Sequence, residues 1–366
     1  MSDRRVRLVG PAGPDSGGIA RYIDAQREHL GDRVDFTVYD VAVDTGSGDR
    51  RQFFAALLAA FLDVLLFPLR TRDDVDLAHV HTSHRRSFYQ SAPYVLYAAH
   101  VRDTPVVLHV HGSSFDTFVA EAPLPLRVFQ RAVFGVCERV VVLSPHWADV
   151  VGQRVPEERV VVLPNAVDAD AYRSDPGADP PRLAFVSNHV ERKGIDAFVD
   201  AVDTLLEEAA TDGRRDDPPF RVDVAGSGPR AHRAEALADR HAAVEYHGYV
   251  SDARKRELLS DASVYALPTA AEGLPIAVLE AMAGGNAVVS TPVGAIPSVV
   301  DDENGARVTP GDADELAAAL GALVESPDRT RELGAESRRR VETRYDWETV
   351  GDRLVDLYHE VGRSSA

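Results

Sequence analysis

The chain has 366 residues, of which 45% are hydrophobic and 27% charged. This composition is typical of a globular protein of about two domains and excludes wholesale disorder and a fibrous repeat. Its 58 acidic and 40 basic residues give a formal net charge of -18, which disfavours a broad basic surface for nucleic acid or anionic lipid. The single cysteine, Cys137, excludes an intramolecular disulfide framework and a cysteine zinc cluster, and we expect it in the core.

Lysine is almost absent from the chain. Lys193 and Lys255 are the only lysines among the 40 basic residues, and all the others are arginines. Together with the excess of Asp and Glu, this usage is typical of salt-loving archaea, where salt screens surplus carboxylates. We therefore interpret the charge as a halophilic adaptation to solvent and not as a sign of function.

Short apolar or β-branched runs alternate with amphipathic stretches along the chain, a pattern that predicts βαβ units with parallel sheets. The pattern occurs in two series of similar length. It therefore predicts an α/β fold of two doubly wound, Rossmann-like domains that face one another across a cleft. The predicted strands are Arg7–Val9, Val34–Tyr39, Leu77–Val80, Val106–Val110, Val140–Leu143, Val160–Leu163, Leu183–Val186, Val222–Ala225, Val244–Tyr246, Ser263–Leu267, Ala287–Ser290 and Ala306–Val308.

A linker separates the two series. Residues 168–182 lack apolar periodicity and carry three prolines and a glycine, which is a linker composition. We therefore predict an N-terminal domain over residues 1–167 and a C-terminal domain over residues 183–345. A last helix, within residues 346–366, has no following element to pair with and is predicted to pack back on the first domain.

The N-terminus leads directly into a strand, so we expect no signal peptide. The most apolar stretch, Phe53–Leu69, is interrupted by Asp63 and ended by Pro68, and it is too short to predict a membrane span. It is interpreted as a buried helix or, alternatively, as an interfacial one. We expect a cytoplasmic protein, with the inner membrane face as an alternative site of peripheral contact.

The strongest functional signal is a strand, turn and helix within residues 264–289. The helix is predicted over Ile276–Ala283, with Pro275 suited to its first turn and a glycine pair suited to its C-terminal cap. Free amides at the positive end of such a helix form a site for phosphate. The amides expected to point outward are those of Gly273, Leu274 and Ile276.

Two glutamates lie in this segment. Glu272 and Glu280 are eight residues apart, up to ~12 Å along a helix. That distance suits one carboxylate at a sugar and another at a ribose, with a diphosphate between them. Among 21 glutamates about one such pair is expected by chance, so the strand–turn–helix context carries the functional interpretation.

At these residues the chain resembles glycosyltransferase family 4. Glu272–Ala283, Gly285 and Val288–Val289 look like the signature of that family. The resemblance implies a GT-B fold and the retaining, metal-independent transfer of a hexose from a UDP- or GDP-sugar to a glycan or lipid-linked acceptor. That reaction would serve cell-surface polysaccharide or glycolipid biosynthesis and require no cofactor. Further segments that resemble the family, in its order, are Pro14–Ala20, His109–Gly112, Leu163–Asp168 and Leu183–Gly194.

The resemblance also implies roles for individual residues. Lys193 and the helix amides would neutralise the leaving diphosphate, Glu272 would hold donor sugar hydroxyls, and His111 would reach the donor sugar. These three side chains are the expected catalytic set, and Glu280 would bind the ribose. The other expected donor contacts are Gly17, Gly18, Asn188, Arg192, Gly226, Gly273, Leu274, Pro275 and Ile276.

One departure from the family concerns the diphosphate. Ser187 and Asn188 stand where the family has Gly-Arg, and Asn188 can donate a hydrogen bond but brings no charge. The diphosphate would then depend more on Lys193 and Arg192. Structural alternatives stay open, since Lys193 would also fit a solvated helix start and His111 a satisfied structural histidine.

Acceptor contacts are predicted in the first domain. His81 ends a strand, and the arginines that follow it, Arg85 and Arg86, would suit an anionic acceptor. His109 and His111 alternate along a strand and should face the same way. Asp-x-Asp triplets are expected by accident in an Asp-rich chain, so we assign no metal.

Two other functions remain as alternatives. One is a non-catalytic nucleotide-sugar-binding subunit of a glycan assembly complex, which the loss of the family's arginine at Asn188 would suit. The other is a nucleotide-sugar epimerase on the same fold, for which the sequence offers no identifiable acid and base pair.

Overall fold

The computed structural model describes residues 4–13, 17–41, 66–68, 70–71, 73–173, 179–211, 213 and 219–363. By internal contacts the chain divides into two units, one made of Met1–Pro164 with Val350–Ala366 and the other of Asn165–Thr349. Most of Phe53–Leu69, residues 14–16 of the glycine-rich loop and residues 174–178 of the predicted linker lie outside the described residues.

The first unit contains a six-stranded parallel sheet in the order β2-β1-β3-β4-β5-β6. Winding reverses between β1 and β3, which makes the sheet doubly wound. Its strands are β1 Arg4–Gly10, β2 Val34–Asp40, β3 Leu77–Thr82, β4 Val106–Val110, β5 Arg139–Val142 and β6 Val160–Val162. Its helices are α1 Gly18–Leu30, α2 Arg86–His100, α3 Phe115–Ala120, α4 Leu124–Gly135 and α5 Pro145–Gly152.

The second unit contains a six-stranded parallel sheet in the order β12-β11-β10-β7-β8-β9. This is the strand order of a dinucleotide-binding fold, and its winding reverses between β7 and β10. The strands are β7 Arg182–Val186, β8 Arg221–Ala225, β9 Val244–Gly248, β10 Val264–Leu267, β11 Ala287–Ser290 and β12 Gly305–Arg307. The helices are α6 Ile195–Thr211, α7 Ala231–Arg240, α8 Asp252–Asp261, α9 Ile276–Ala283, α10 Ala313–Val324 and α11 Pro327–Arg340.

The final helix, α12 Trp347–Arg363, follows a π-helical turn at Val341–Tyr345. From Val350 onward its residues belong to the first unit. A Cβ on Gly351 would lie 2.7 Å from the Leu30 side chain, so the glycine lets α12 approach α1 closely. Tyr358 of the same helix is fully buried.

The structure confirms the predicted fold. Twelve strands lie where the sequence predicts them, with ends that differ by at most three residues. Most strand residues are buried because helices cover both faces of a parallel sheet. Cys137 is buried as expected, and burial raises the pKa of its thiol. Within the described ranges, each helix is too short or too polar to be a candidate membrane span.

The β11–β12 connection is held by a buried arginine. The Arg340 side chain is 8% exposed and binds Asp301 at 2.8 Å, Glu303 at 2.6 Å and Glu336 at 2.7 Å. The hydrogen bond from Arg340 lowers the pKa of Asp301. Hydrogen bonds from Arg339, the larger contribution, and from Arg340 lower the pKa of Glu336 from 4.5 to about 2.

We predict that Arg340→Met lowers the free energy of unfolding at neutral pH by about 1–3 kcal/mol, because it leaves charged groups unpaired. The carboxyl pKa values are lower in the folded chain than in the unfolded chain. Their stabilisation is therefore present above the unfolded pKa and is lost as pH falls toward about 2. Denaturant titrations at several pH values should show a smaller acid loss in the variant than in the wild type.

The matched control is Arg331→Met, which removes an arginine paired with Asp328 on the surface. Its unfolding free energy should stay within about 0.5 kcal/mol of the wild type. Equal acid dependence of the wild type and Arg340→Met would contradict the prediction.

Candidate functional site

The site predicted in the second unit lies where the winding of its sheet reverses. Because β7 and β10 are paired neighbours, the loops at their carboxyl ends are adjacent, which is where doubly wound sheets bind ligands. The carbonyl oxygen of Arg192, in the β7 loop, accepts hydrogen bonds from the Ala270 amide at 2.8 Å and the Thr269 hydroxyl at 2.9 Å. These bonds join the two loops.

The Glu272 carboxylate is the centre of this arrangement. Its side chain is 8% exposed, and its Oε1 atom accepts three hydrogen bonds. The donors are Lys193 Nζ at 2.5 Å, Thr269 Oγ1 at 3.1 Å and Arg192 Nη1 at 3.2 Å. Two cations therefore offset one buried negative charge, and the three bonds together fix the direction of the carboxylate.

Two glycines permit the close packing around Glu272. Gly194 has a φ of 79°, and a Cβ there would lie 2.0 Å from the Pro268 carbonyl oxygen. Gly294 has a φ of 57°, and a Cβ there would lie 1.8 Å from the Glu272 carbonyl oxygen. Only glycine allows the backbone to approach this closely, so these two positions fix where the loop that contains Glu272 lies.

The helix that follows Glu272 begins without a side-chain cap. Pro275 is the N-cap of α9, whose first helical residue is Ile276, as predicted. Protein groups bind the loop through its carbonyls: Asn165 Nδ2 donates to Leu274 O at 2.7 Å, and the Ala295 amide donates to Gly273 O at 2.9 Å. The positive end of the helix dipole therefore begins at Ile276, four residues after Glu272, the residue that Lys193 and Arg192 bind.

The second glutamate pairs with the second lysine. Glu280 Oε1 lies 2.6 Å from Lys255 Nζ, and both side chains are 13% exposed. Tyr172 also hydrogen-bonds Glu280. Burial raises the pKa of the Tyr172 phenol, and the nearby Glu280 carboxylate raises it further. Both lysines of the chain therefore bind a glutamate of the predicted signature. Because lysine is so scarce, Lys255 was as conspicuous in the sequence as Lys193. The sequence analysis nevertheless did not predict Lys255 as a site residue.

The remaining donor-side predictions lie around the β7 loop. Asn188 is exposed, and the loop containing it packs on Gly226, where a Cβ would lie 1.8 Å from the Ser187 carbonyl oxygen. Arg192 has a 44% exposed side chain, and its Nη1 atom also donates to the Ala271 carbonyl at 2.5 Å. Thr269 was not predicted, since a buried threonine carries no functional signal in sequence.

In the first unit, Gly17 and Gly18 are exposed at the start of α1. His111 follows β4 and is partly buried, with Nε2 3.0 Å from His81 Nδ1. The rings of His109 and His111 lie 4.0 Å apart, which confirms that they face the same way.

His81 is only 1% exposed, which leaves its side chain almost no surface for the predicted acceptor contact. Burial lowers the pKa of His79 to about 3, and it lowers those of His81 and His109 well below 6.5, so these rings are neutral. Arg85 and Arg86 are exposed where α2 begins.

Two of the Asp-x-Asp triplets, at residues 168–170 and 312–314, begin with an aspartate whose side chain caps the start of a helix. Asp168 Oδ1 accepts from the amides of Asp170 and Ala171. Asp312 is the N-cap of α10, where its side chain accepts from the Glu315 amide. These first aspartates therefore have a structural role in the folded chain.

Curated relatives of the chain act on sugars by name. It is 31% identical over 235 residues to the MMP alpha-(1->4)-mannosyltransferase of Mycolicibacterium hassiacum, a match covering 63% of this chain and 56% of that protein. It is 29% identical to the alpha-maltose-1-phosphate synthase of Mycolicibacterium smegmatis, covering 63% and 65%. It is 28% identical to the phosphatidyl-myo-inositol mannosyltransferase of Mycobacterium tuberculosis, covering 80% and 76%. The matched region thus spans less than two thirds of the first two relatives.

Solved structures identify the fold as GT-B. Sucrose-phosphate synthase from Thermosynechococcus elongatus superposes with a TM-score of 0.75 at 18% identity, over 99% of this chain and 100% of that one. Anabaena HepE in complex with UDP superposes with a TM-score of 0.73 at 16% identity, over 97% and 100%.

Two family models match most of the sequence. Residues 16–171 match the model described as Glycosyltransferase Family 4, and residues 180–326 match that of Glycosyl transferases group 1. These stretches hold every strand of the two sheets except β1, together with the Glu272 arrangement, and their match agrees with the signature at residues 272–289. The chain belongs to glycosyltransferase family 4.

Proposed function

We propose that this protein is a retaining glycosyltransferase that moves a hexose from a UDP- or GDP-sugar to an acceptor hydroxyl. The observation that carries the proposal is the Glu272 carboxylate, which Lys193 and Arg192 bind in the turn that leads into the uncapped start of α9. Family membership and the names of the relatives support sugar transfer. Since those relatives transfer sugars by name, the comparisons do not favour a binding subunit or an epimerase.

The chemistry requires groups that stabilise the negative charge as it develops on the leaving diphosphate. In the proposed reaction the bond between the sugar C1 and the diphosphate oxygen breaks, and a bond from the acceptor oxygen to C1 forms on the same face. The acceptor proton passes to the leaving diphosphate. Fixed cations and helix amides stabilise that charge without reorganising, which is the largest catalytic contribution in many enzymes.

Lys193 can bind the diphosphate while it keeps its hydrogen bond to Glu272. An ammonium group has three donors, and one of them binds Glu272 Oε1. The remaining donors, with the amides at the start of α9, are proposed to bind the phosphate oxygens. Arg192, whose side chain is 44% exposed, would add a second cation in place of the arginine that Asn188 replaces.

The carboxylates are proposed to bind the rest of the donor. Glu272 has a second oxygen for hydroxyls of the transferred sugar, and Glu280 would accept hydrogen bonds from the ribose. Lys255 orients Glu280 in the same way as Lys193 orients Glu272. No metal is needed for these steps, because side chains and amides supply the positive charge.

The acceptor is proposed to be a glycan or a lipid-linked sugar, bound by the first unit. The name of one relative, phosphatidyl-myo-inositol mannosyltransferase, supports a lipid acceptor, while the structure of HepE with UDP supports a UDP-sugar as donor. Arg85 and Arg86 would bind an anionic group of the acceptor, and His111 would contact the donor sugar. We propose a cytoplasmic site of action, at the inner membrane face for a lipid-linked acceptor.

The first test measures the release of nucleoside diphosphate from a panel of UDP-, GDP- and ADP-sugars, with and without glycan acceptors. The wild type should release it slowly without acceptor. Lys193→Met should lower the rate by about 10²–10³-fold, the usual cost of losing one charge-stabilising group. Glu272→Gln should also lower the rate, because Lys193 and the transferred sugar lose the carboxylate that positions them. Proton NMR of a transferred product should show the anomeric configuration of the donor.

The control for this test is Arg233→Met, which removes a cation paired with Asp196 and Asp200 outside the site. Its rate should stay within about twofold of the wild type. Donor binding without release in any combination of donor and acceptor would favour the binding subunit. An unchanged rate in Lys193→Met would contradict the assigned role of the lysine.

A second test separates geometry from charge. Gly294→Ala should lower the rate of release by about 10²-fold, because the new Cβ displaces the Glu272 loop by an ångström or more. Gly311→Ala is the control, since Gly311 has a φ of 81° and nothing within 4 Å of its added Cβ. Gly294→Ala should melt at a lower temperature than Gly311→Ala, because it adds a backbone clash to the strain of a positive φ. Equal losses of activity in the two variants would contradict the prediction.

A further inference from the structure

Four histidines share one face of the first unit's sheet. His79 and His81 alternate along β3, while His109 and His111 alternate at the end of β4, and His81 is in register with His109. Alternate residues of a strand point the same way, so neighbouring parallel strands bring these rings together. The ring centroids of His79 and His81 are 4.2 Å apart, and those of His81 and His109 are 5.3 Å apart.

Three of these side chains are buried and incompletely bonded. His79, His81 and His109 are at most 1% exposed. Among the residues that the structure describes, Nε2 of His79, Nε2 of His81 and both ring nitrogens of His109 have no hydrogen-bond partner. Folded proteins pair nearly all their buried polar atoms, so four unpaired nitrogens in adjacent side chains point to a missing ligand.

The Nδ1 atoms of His79 and His81 each have a polar neighbour, which fixes the orientation of the ring and so of its unpaired Nε2 atom. His79 Nδ1 lies 2.6 Å from the Tyr358 hydroxyl, which also accepts a hydrogen bond from Gln26 Nε2 at 2.7 Å. His81 Nδ1 lies 3.0 Å from His111 Nε2. Metal-bound histidines have this pattern, in which one ring nitrogen binds the ion and the other is held by an outer hydrogen bond.

The spacing of the nitrogens also suits an ion. One ring nitrogen from each of His79, His81 and His109 lies within 4.8 Å of the other two. Zn–N bonds of about 2.0–2.1 Å place tetrahedral ligands about 3.4 Å apart, so small ring rotations would close the site. A set of neutral imidazoles suits Zn²⁺, Co²⁺, Ni²⁺ or Cu²⁺ and is unsuited to Mg²⁺ or Ca²⁺.

We propose that His79, His81 and His109 bind one divalent transition-metal ion, with Zn²⁺ as the natural occupant. The ion would join β3 to β4, and through the bond between His81 and His111 it would fix the orientation of His111. Water would complete the coordination, as in other three-histidine zinc sites. All three ligands belong to the first unit, and the ion would affect the proposed transfer only through the orientation of His111.

The test uses the full chain without a histidine tag. Because the ligands are buried, the ion must enter as the chain folds, so the protein is unfolded with chelator and refolded with Zn²⁺ or with none. After dialysis against metal-free buffer, mass spectrometry of the metal content should find about one Zn²⁺ per chain. The zinc-refolded sample should also melt at a higher temperature than the metal-free sample.

Variants locate the ion. His109→Gln and His79→Gln should each retain less than about a tenth of an equivalent of Zn²⁺. Refolding the wild type with Co²⁺ should give the visible absorption of a tetrahedral site, and the variants should lack it. The matched control is His189→Gln in the second unit, since His189 is also buried with unpaired ring nitrogens, and it should retain the ion.

Three results would overturn the proposal. The first is a wild-type chain that refolds with Zn²⁺ and holds none after dialysis. The second is equal zinc content in His109→Gln and the wild type, which would assign the ion to another cluster such as Asp223, Glu245 and His247. The third is an identical melting temperature with and without Zn²⁺, which needs no variant and stays decisive if the histidine variants do not fold.

Discussion

A buried carboxylate that needs two cations determines the architecture of the second unit's site. Glu272 is nearly inaccessible, and burying its charge alone would cost several kcal/mol, roughly the penalty of an unpaired buried ion. Lys193 and Arg192 supply the compensating charge from the loop that follows β7. The pairing therefore joins the loops that follow β7 and β10 and holds a lysine at Glu272, four residues before the first residue of α9. The same side chains meet a structural requirement and serve the proposed binding function.

The sequence predicted the elements whose signals are local. The twelve strands and the bounds of α9 follow from apolar runs, the proline before the helix and the glycines after it. Lys193 was found because the chain uses so little lysine and because its position resembles the family's. Glu272 and Glu280 were found by spacing together with context, and the structure places each beside a lysine.

Other contacts depend on tertiary pairing or on the shape of a single turn, and the sequence carried no signal for them. The bond from Thr269 to Glu272 depends on the shape of one turn, and the pairing of Lys255 with Glu280 joins two helices that the sequence does not relate. The histidine cluster depends on the register of β3 against β4, since each strand by itself shows only a His-x-His pattern. For that reason no contiguous metal-binding motif marks the cluster in the sequence.

The central claim is that Lys193 and the start of α9 bind the diphosphate of the donor. Isothermal titration calorimetry of uridine and UDP, or guanosine and GDP, with the wild type and Lys193→Arg and Lys193→Met measures it directly. The account predicts that the diphosphate adds most of the wild-type affinity, that Lys193→Met loses most of this gain, and that Lys193→Arg recovers part of it. Equal nucleoside diphosphate affinity in all three proteins would contradict the account.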